Sequence, residues 1–339
     1  MIRDRLFEEP PVKATPFPVD PLLCDFALPL RGVFHPFGFA VAISTNAREV
    51  LDAAEESWGL FPSLFSEPPV EVYFAASDDF DEESPIPTFR GRDNLVSIIA
   101  DQANFAIADL RRGFSFGWAS RNTIKRRAYF RYHFLEGAVL TMLESLHLTS
   151  LHAACVMRSG CGLLLCGDAG AGKSSLAFAC ARQGWTLISD DGSSIVRSKA
   201  DRTVLGNPSQ LRFRADAPTL FPELANRRLI KGLDGELAIE LPTIDVPAIS
   251  TAFQAHVDYV VFLSRQDSGP TRLLHYSPES ARLRLEQTIC FGDPEVRHQQ
   301  RASLRTILSA EVLELRYSDL ESAVARLQEL VAKRRQQKR

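Results

Sequence analysis

The sequence predicts an α/β protein in which a smaller, mixed, strand-rich domain precedes the main α/β domain. Three observations support this fold class. Short apolar segments separated by Pro, Gly and Asp fill the first third of the chain, as expected for strands joined by turns. Strand and helix patterns then alternate after about residue 150, which is typical of an α/β sheet. A glycine-rich turn joins the first of those strands to the first helix.

The N-terminal third predicts an arm followed by a mixed domain. Residues 1–21 are rich in proline and mixed charge and are expected to form an extended arm. Residues 22–124 are expected to form a mixed α+β domain with one helix, Ala47–Ser57, and several strands: Val70–Ala75, Leu95–Ala100, Asn104–Leu110 and Phe114–Ala119. The acidic stretch 77–87 is expected to be a solvated loop.

Residues 125–335 are assigned to the second domain. Apolar residues at three- and four-residue intervals predict a helix between Lys125 and His147 that leads into it. The basic C-terminal tail is expected to be the end of a helix. The elements expected between them are strands Leu163–Cys166, Trp185–Ser189, Val257–Ser264 and Val312–Tyr317, and helix Lys173–Gln183.

Composition narrows the class of protein. The chain has 339 residues, 45% of them hydrophobic, and a formal net charge of −3, so no global charge would recruit nucleic acid or an anionic membrane. Six cysteines show neither a CxxC pair nor a ladder of spacings, which favours reduced thiols over disulfides or a zinc site. No run of about 18 apolar residues occurs. We expect a cytoplasmic protein that contacts neither membrane nor nucleic acid.

One motif carries specific chemistry. The pattern GxxxxGK[ST] begins at Gly167 and is typical of a loop whose backbone N–H groups surround phosphates at a helix N-terminus. Lys173 would bring a positive charge to the β- and γ-phosphates, and Ser174 would place a hydroxyl on Mg²⁺. The residues expected to bind ATP are Gly167, Asp168, Ala169, Gly170, Ala171, Gly172, Lys173, Ser174 and Ser175.

Two adjacent carboxylates follow the next predicted strand. Asp190 and Asp191 lie only 17 and 18 residues after Lys173, so one strand and one helix would place them beside the phosphates. One carboxylate can bind Mg²⁺ while its neighbour accepts a proton from an attacking hydroxyl, as phosphoryl transfer to an alcohol requires. The alternative is that both simply begin a DDGSS turn.

His152 precedes the phosphate-loop strand. A hairpin turn at residues 158–162 would place the strand that follows His152 alongside the phosphate-loop strand, within reach of the two carboxylates. The alternative is a histidine buried in the core.

These residues, in this order, resemble the catalytic domain of HPr kinase/phosphorylase, a bacterial serine kinase that shares its nucleotide-binding core with phosphoenolpyruvate carboxykinases. The resemblance covers residues 150–200. It implies that Lys173 contacts phosphates, that Ser174 and Asp191 hold Mg²⁺, that Asp190 is the base and that His152 tunes it. It also implies a P-loop fold of this type and makes a homo-oligomer plausible.

Downstream of the carboxylates the pattern differs from that family. Its glycine-rich EIRGxG signature has only a faint counterpart in DGELAIELP at 234–242. Residues 206–232 instead look like a divergent branch, some of whose members accompany peptide-modification clusters and phosphorylate a serine on a precursor peptide. A transferring phosphoryl group needs positive charge beyond the phosphate-loop lysine. The candidates for this are Arg212, Arg214, Arg227, Arg228 and Lys231.

The sequence therefore predicts an ATP- and Mg²⁺-dependent kinase that phosphorylates a serine on a protein or peptide. Two alternatives remain open. The chain could be a nucleotide-gated regulatory protein without transfer activity, or a kinase of a small-molecule hydroxyl. The intact pair of aspartates favours an enzyme over a regulatory protein.

Overall fold

The computed structural model describes residues 27–78, 85–231, 237–246, 248–287 and 293–337. The N-terminal part contains seven strands in this range: β1 Leu30–Phe34, β2 Val41–Thr45, β3 Val70–Ser77, β4 Thr88–Arg92, β5 Leu95–Ile99, β6 Phe105–Asp109 and β7 Phe114–Ser120. Its helices are α1 Arg48–Trp58, α2 Arg121–Lys125, α3 Arg127–Phe130, a π-helical segment Arg131–Glu136 and α4 Gly137–Leu146.

The remainder of the chain alternates strands and helices. The strands are β8 Leu148–Leu151, β9 Ala153–Arg158, β10 Cys161–Cys166, β11 Thr186–Ser189, β12 Ser193–Val196, β13 Thr203–Gly206, β14 Gln210–Arg214, β15 Leu229–Lys231, β16 Leu237–Pro242, β17 Ser250–Thr251, β18 Gln254–Arg265, β19 Arg272–His275 and β20 Glu311–Tyr317. The helices are α5 Lys173–Arg182, α6 Pro278–Glu286, α7 Pro294–Ile307 and α8 Leu320–Gln337.

A large mixed sheet forms the centre of the α/β part. Its strand order is β17-β11-β9-β10-β18-β13-β12-β8, and β20 pairs in parallel with the second half of β18. Alternate residues of β10 enter two different cores: Leu163 and Leu165 pack with α5 and α8, whereas Leu164 packs with α6 and α7. Helices therefore cover both faces of the sheet, and the predicted α/β fold class is confirmed.

A second mixed sheet lies in the N-terminal part, with the order β1-β2-β3-β7-β6-β5-β4. The helical segment α2–α4 packs on it, and Phe134, Val139 and Leu143 share one core with Val72 and Phe74 of β3. The predicted helix between residues 125 and 147 thus exists, broken by a π-helical stretch, and its apolar face completes the N-terminal core. The division into domains at residues 22–124 and 125–335 stays a prediction.

A small antiparallel sheet, β14-β16-β15, lies against helix α5. Three aromatic rings join them: Phe178 of α5 is 4.9 Å from Phe221 and 5.2 Å from Phe213 of β14, measured between ring centroids. Phe178 is 1% exposed. This ring cluster fixes β14, and with it Arg212 and Arg214, beside the helix that begins at the predicted phosphate loop.

Several predictions fall partly outside the described residues. The N-terminal arm 1–21, residues 79–84 of the acidic stretch, residues 234–236 of DGELAIELP and Cys24 and Cys290 lie there. The four described cysteines are buried: Cys155, Cys161, Cys166 and Cys180. The basic tail continues α8 to Gln337, as predicted. None of the helices in the described ranges is long and apolar enough to cross a membrane.

The ring cluster predicts a large stability effect. Phe178→Ala should lower the free energy of unfolding by ~3–5 kcal/mol, because it removes a buried ring that bridges α5 and the small sheet. Leu60→Ala is the control, since Leu60 is 71% exposed and should change stability by no more than about 0.5 kcal/mol. Urea unfolding of both variants checks this, and equal losses would contradict the assigned role of the ring cluster.

Candidate functional site

The central sheet gathers the predicted site residues at one edge. Strands β10, β11, β18 and β20 run parallel, and β9 runs antiparallel to β10, so four carboxyl ends and the start of β9 meet there. The loop at 167–172 follows β10, Asp190 follows β11, and His152 precedes β9. Ligands of open α/β sheets bind at this edge. The predicted hairpin of β9 and β10 is confirmed, and it brings His152 to the carboxylates.

The loop backbone needs glycine at two positions. Gly170 and Gly172 have φ of +84° and +93°, a region that other residues adopt at a cost. A Cβ on Gly172 would lie 2.4 Å from the Tyr317 hydroxyl, which donates a hydrogen bond of 2.9 Å to the Ala171 carbonyl. Tyr317, at the end of β20, therefore holds the loop against the sheet and leaves no room for a side chain at position 172.

Lys173 is the first residue of α5 and is 5% exposed. Its Nζ donates to the carbonyl oxygens of Gly167 at 3.0 Å and Asp168 at 3.3 Å. Burial lowers the pKa of Lys173, and the nearby Asp191 carboxylate opposes this shift. The ammonium group thus sits in a partly desolvated position where a bound anion would stabilise its charge.

Asp190 is 9% exposed and lies behind the surface of the cleft. Burial raises its pKa to about 7, although the backbone N–H of Arg212 donates to Oδ2 at 2.7 Å and favours the ionised form. Ser174 Oγ donates to the Asp190 carbonyl at 3.4 Å. This carboxyl group is poised to exchange a proton near neutral pH, which is the property expected of a general base.

The structure pairs His152 with Asp191, whereas the sequence predicted that His152 tunes Asp190. His152 Nδ1 is 3.1 Å from Asp191 Oδ1, and the two side chains are 48% and 54% exposed. Successive residues at the end of a strand point to different sides, so only one carboxylate can face the histidine. Asp190 turns inward under Arg212, and Asp191 faces the cleft.

A cleft of about 350 Å³ unites most of the predicted residues. The predicted residues that line it are His152, Ala169, Gly170, Gly172, Lys173, Ser174, Ser175, Asp191, Arg212 and Arg214. Gly167, Asp168 and Ala171 belong to the same loop but are not among the residues that line the cleft. The other basic candidates lie elsewhere: Arg227 pairs with Asp245 at 2.7 Å, and Arg228 does not line the cleft. The side chain of Lys231 lies outside the described part.

Three residues that sequence reasoning missed also shape the site. Arg265, at the end of β18, lines the cleft. Arg284 of α6 pairs with Asp168 at 2.8 Å and lies over the Phe262 ring, and its pKa is raised by the hydrogen bond to Asp168. Tyr317 anchors the loop. All three residues lie more than 90 positions after Ser174, the last residue of the motif, so no local sequence pattern identifies them.

The donor set fits a nucleotide with a magnesium ion. The loop offers N–H groups at a helix N-terminus, and Ser174 and Asp191 both face the cleft. The described residues contain no group of three or more His, Cys, Asp or Glu side chains suited to a metal. Mg²⁺ bound to a nucleotide needs no such group, because it takes one or two protein oxygens, substrate phosphates and waters.

One family model matches the part of the chain that contains the cleft residues His152 to Arg214. Residues 144–214 match the model of the HPr Serine kinase C-terminal domain. This region is HPr kinase-like. It extends from α4 to the end of β14 and includes His152, the phosphate loop and both aspartates. The matched region thus holds His152, the phosphate loop, both aspartates, Arg212 and Arg214. The remaining basic candidates and the three residues that sequence reasoning missed lie beyond it: Arg227, Arg228, Lys231, Arg265, Arg284 and Tyr317.

A search of curated proteins gives no match. Among solved structures, the chain is similar to the Hpr(Ser) kinase/phosphatase from Coxiella burnetii. The sequence identity is 16% and the TM-score is 0.28, with 54% of this chain and 98% of that chain covered.

The contact between Gly172 and Tyr317 predicts a stability effect with two parts. Gly172→Ala puts an alanine in the left-handed backbone region, which should lower the free energy of unfolding by roughly 1–2 kcal/mol. It also adds a clash between the new Cβ and the Tyr317 hydroxyl. Gly184→Ala is the matched control, because Gly184 has φ of +80° and nothing within 4 Å of its Cβ position. In urea unfolding, Gly172→Ala should lose more stability than Gly184→Ala. Adding Tyr317→Phe to Gly172→Ala should recover part of the difference, and strict additivity would contradict the clash.

Burial of Asp190 predicts a pH effect. Its pKa rises from 3.8 in the unfolded chain to about 7 in the fold, so the folded chain binds more protons between these values. The free energy of unfolding should therefore fall as pH rises from about 4 to 7, and the fall should end above 7. Asp190→Asn removes this contribution.

The measurement is urea unfolding at a series of pH values. As pH rises from about 4 to 7, the free energy of unfolding of Asp190→Asn should increase relative to that of the wild type. Asp52→Asn makes the same replacement on the surface of α1, where the carboxylate is 44% exposed. If both variants follow the same pH curve, the assignment to Asp190 fails.

Proposed function

We propose that this protein is an ATP- and Mg²⁺-dependent kinase that transfers the γ-phosphoryl group to a serine hydroxyl on a protein or peptide. The observation that carries the proposal is the pair of aspartates beside the phosphate loop, one facing the cleft and one buried with a pKa of about 7. A protein that only bound nucleotide would not need the second, desolvated carboxylate.

The loop and its flanking cations account for nucleotide binding. Backbone N–H groups at the start of α5 and the Lys173 ammonium would hold the phosphates, and Ser174 and Asp191 would hold the magnesium ion. The ion would neutralise charge on the phosphates. Arg212 and Arg214, on β14, flank the same cleft and can bind the oxygens of the transferring group.

Asp190 would act as the base. When the acceptor hydroxyl attacks phosphorus, its proton passes to the Asp190 carboxylate, the new O–P bond forms and the bond from the γ-phosphorus to the leaving oxygen breaks. A pKa of about 7 suits this task, because at neutral pH a substantial fraction of the group is ionised and the carboxylate is basic enough to take a proton. Hydrogen bonding to the Arg212 N–H would fix the carboxylate in place.

The acceptor class follows from the exposure of the cleft. Asp191 and His152 are each about half exposed, so the side of the cleft nearest the carboxylates is open to a bulky partner. A kinase of a small molecule needs walls that enclose its acceptor. The open geometry favours a serine on a protein or peptide.

We also propose that copies of the chain associate, as its resemblance to HPr kinase/phosphorylase implies. Light scattering would test this.

Transfer of labelled γ-phosphate from Mg-ATP to a panel of serine-containing peptides and HPr-like protein tests the proposal. Wild-type protein should label at least one acceptor. Asp190→Asn should lose at least 100-fold in rate, within the range for a removed general base, while its Mg-ATP affinity stays within about threefold. Asp191→Asn should instead weaken the Mg²⁺ dependence of nucleotide affinity.

Two controls accompany this experiment. Asp52→Asn repeats the replacement on the surface of α1 and should retain transfer. Lys173→Ala should lose nucleotide affinity. Tight Mg-ATP binding that Lys173→Ala weakens, with transfer to none of the acceptors, would favour the nucleotide-gated regulatory protein. Full transfer by Asp190→Asn would remove Asp190 as the base.

A further inference from the structure

The order of strands gives the phosphate cleft a direction. The loop follows β10, which lies between β9 and β18. On one side, β9 and β11 carry His152, Asp190 and Asp191. On the other side lie the ends of β18 and β20. If the proposed function is correct, the γ-phosphate lies towards the carboxylates, and the nucleoside must leave the loop on the β18 and β20 side.

The distances suit a nucleoside triphosphate. Neighbouring strands are about 4.8 Å apart, so β11 and β20, each two strands from β10, lie roughly 10 Å to either side of the loop. A triphosphate that spans the loop therefore delivers its base close to the ends of β18 and β20. The base cannot lie on the opposite side without displacing the γ-phosphate from Asp190.

A shallow recess opens off the cleft at this place. Leu220, Arg265, Tyr317, Ser318, Asp319 and Leu320 line it together with Gly172 and Ser175. Both Leu220 and Arg265 also line the phosphate cleft, so they stand where the two spaces join. The recess is only about 30 Å³, enough for the edge of a base, and the ring itself would lie between the two side chains.

The two side chains have the chemistry that an aromatic ring needs. Leu220 is an apolar side chain that is 41% exposed and lines both the cleft and the recess. Arg265 is exposed, and the described part of the chain places no carboxylate within 4 Å of it, whereas Arg284 and Arg316 are paired with Asp168 and Glu314. A planar guanidinium stacks on aromatic faces, and an apolar side chain packs against the opposite face.

We propose that Leu220 and Arg265 form the nucleoside subsite of this protein and hold the base between them. Arg265 is a binding residue that distinguishes a nucleoside triphosphate from a bare polyphosphate. Tyr317 takes no part in stacking, because it is 1% exposed and its hydroxyl is bound to the loop. This inference rests on the proposed function, since it takes the direction of the triphosphate from the position of Asp190.

Calorimetric titration with Mg-ATP and with Mg-tripolyphosphate tests the subsite, because tripolyphosphate shares the phosphates and lacks the base. Wild-type protein should bind Mg-ATP more tightly. Arg265→Gln should weaken Mg-ATP about 3- to 30-fold, the range for a cation over an aromatic ring, and leave tripolyphosphate within twofold. Leu220→Ala should shift the same ratio in the same direction.

Arg214→Gln is the matched control, since Arg214 is also an exposed arginine of the cleft but lies beside Gly170 of the loop. It should weaken both ligands by the same factor. An equal loss of both ligands in Arg265→Gln would make Arg265 a phosphate contact and overturn the subsite. Equal wild-type affinity for the two ligands would also overturn it. Binding of neither ligand by the wild type would instead overturn the proposed function. Circular dichroism of each variant establishes that it is folded.

Discussion

The backbone pairing that holds β10 between β9 and β18 places the phosphate loop, His152 and Arg265 at one edge of the central sheet. Parallel pairing with β18 brings Arg265 to the edge where the phosphate loop begins, and antiparallel pairing with β9 brings His152 there. Gly162 of β10 is part of this constraint, since a Cβ would lie 2.2 Å from the His256 carbonyl. The close pairing of these strands therefore determines where the side chains of the site lie relative to one another.

The small sheet adds the element that the central sheet lacks. It covers Asp190 and offers it the Arg212 N–H, so the carboxyl group is both desolvated and oriented. The rings of Phe178, Phe213 and Phe221 hold β14 in that position. The raised pKa of Asp190 is thus a consequence of packing between α5 and β14, since displacement of β14 would admit water and return the pKa towards its usual value.

The sequence predicted correctly the elements around the phosphate loop, because their geometry depends on residues close together in the chain. The strand before the loop, the helix after it and the two aspartates lie in one short stretch, where strand length and helix length fix the geometry. The roles of Arg265, Arg284 and Tyr317 could not be predicted, because they depend on the pairing of β18 with β10, on the pairing of β20 with β18 and on the packing of α6 against the sheet. The partner of His152 could not be predicted either, since the turn after β11 decides which aspartate faces the cleft. The N-terminal packing of α2–α4 likewise depends on tertiary contacts that a helical period does not encode.

Burial shifts the pKa of Lys173 down and that of Asp190 up, so each group is held where its charge is costly. On the proposed function, nucleotide binding relieves both costs. Phosphate oxygens stabilise the Lys173 ammonium, and a cation at Ser174 and Asp191 favours the Asp190 carboxylate. The base would therefore be ionised more fully once the nucleotide is in place than before it binds. Nucleotide occupancy and ionisation of the base would then be coupled through electrostatics.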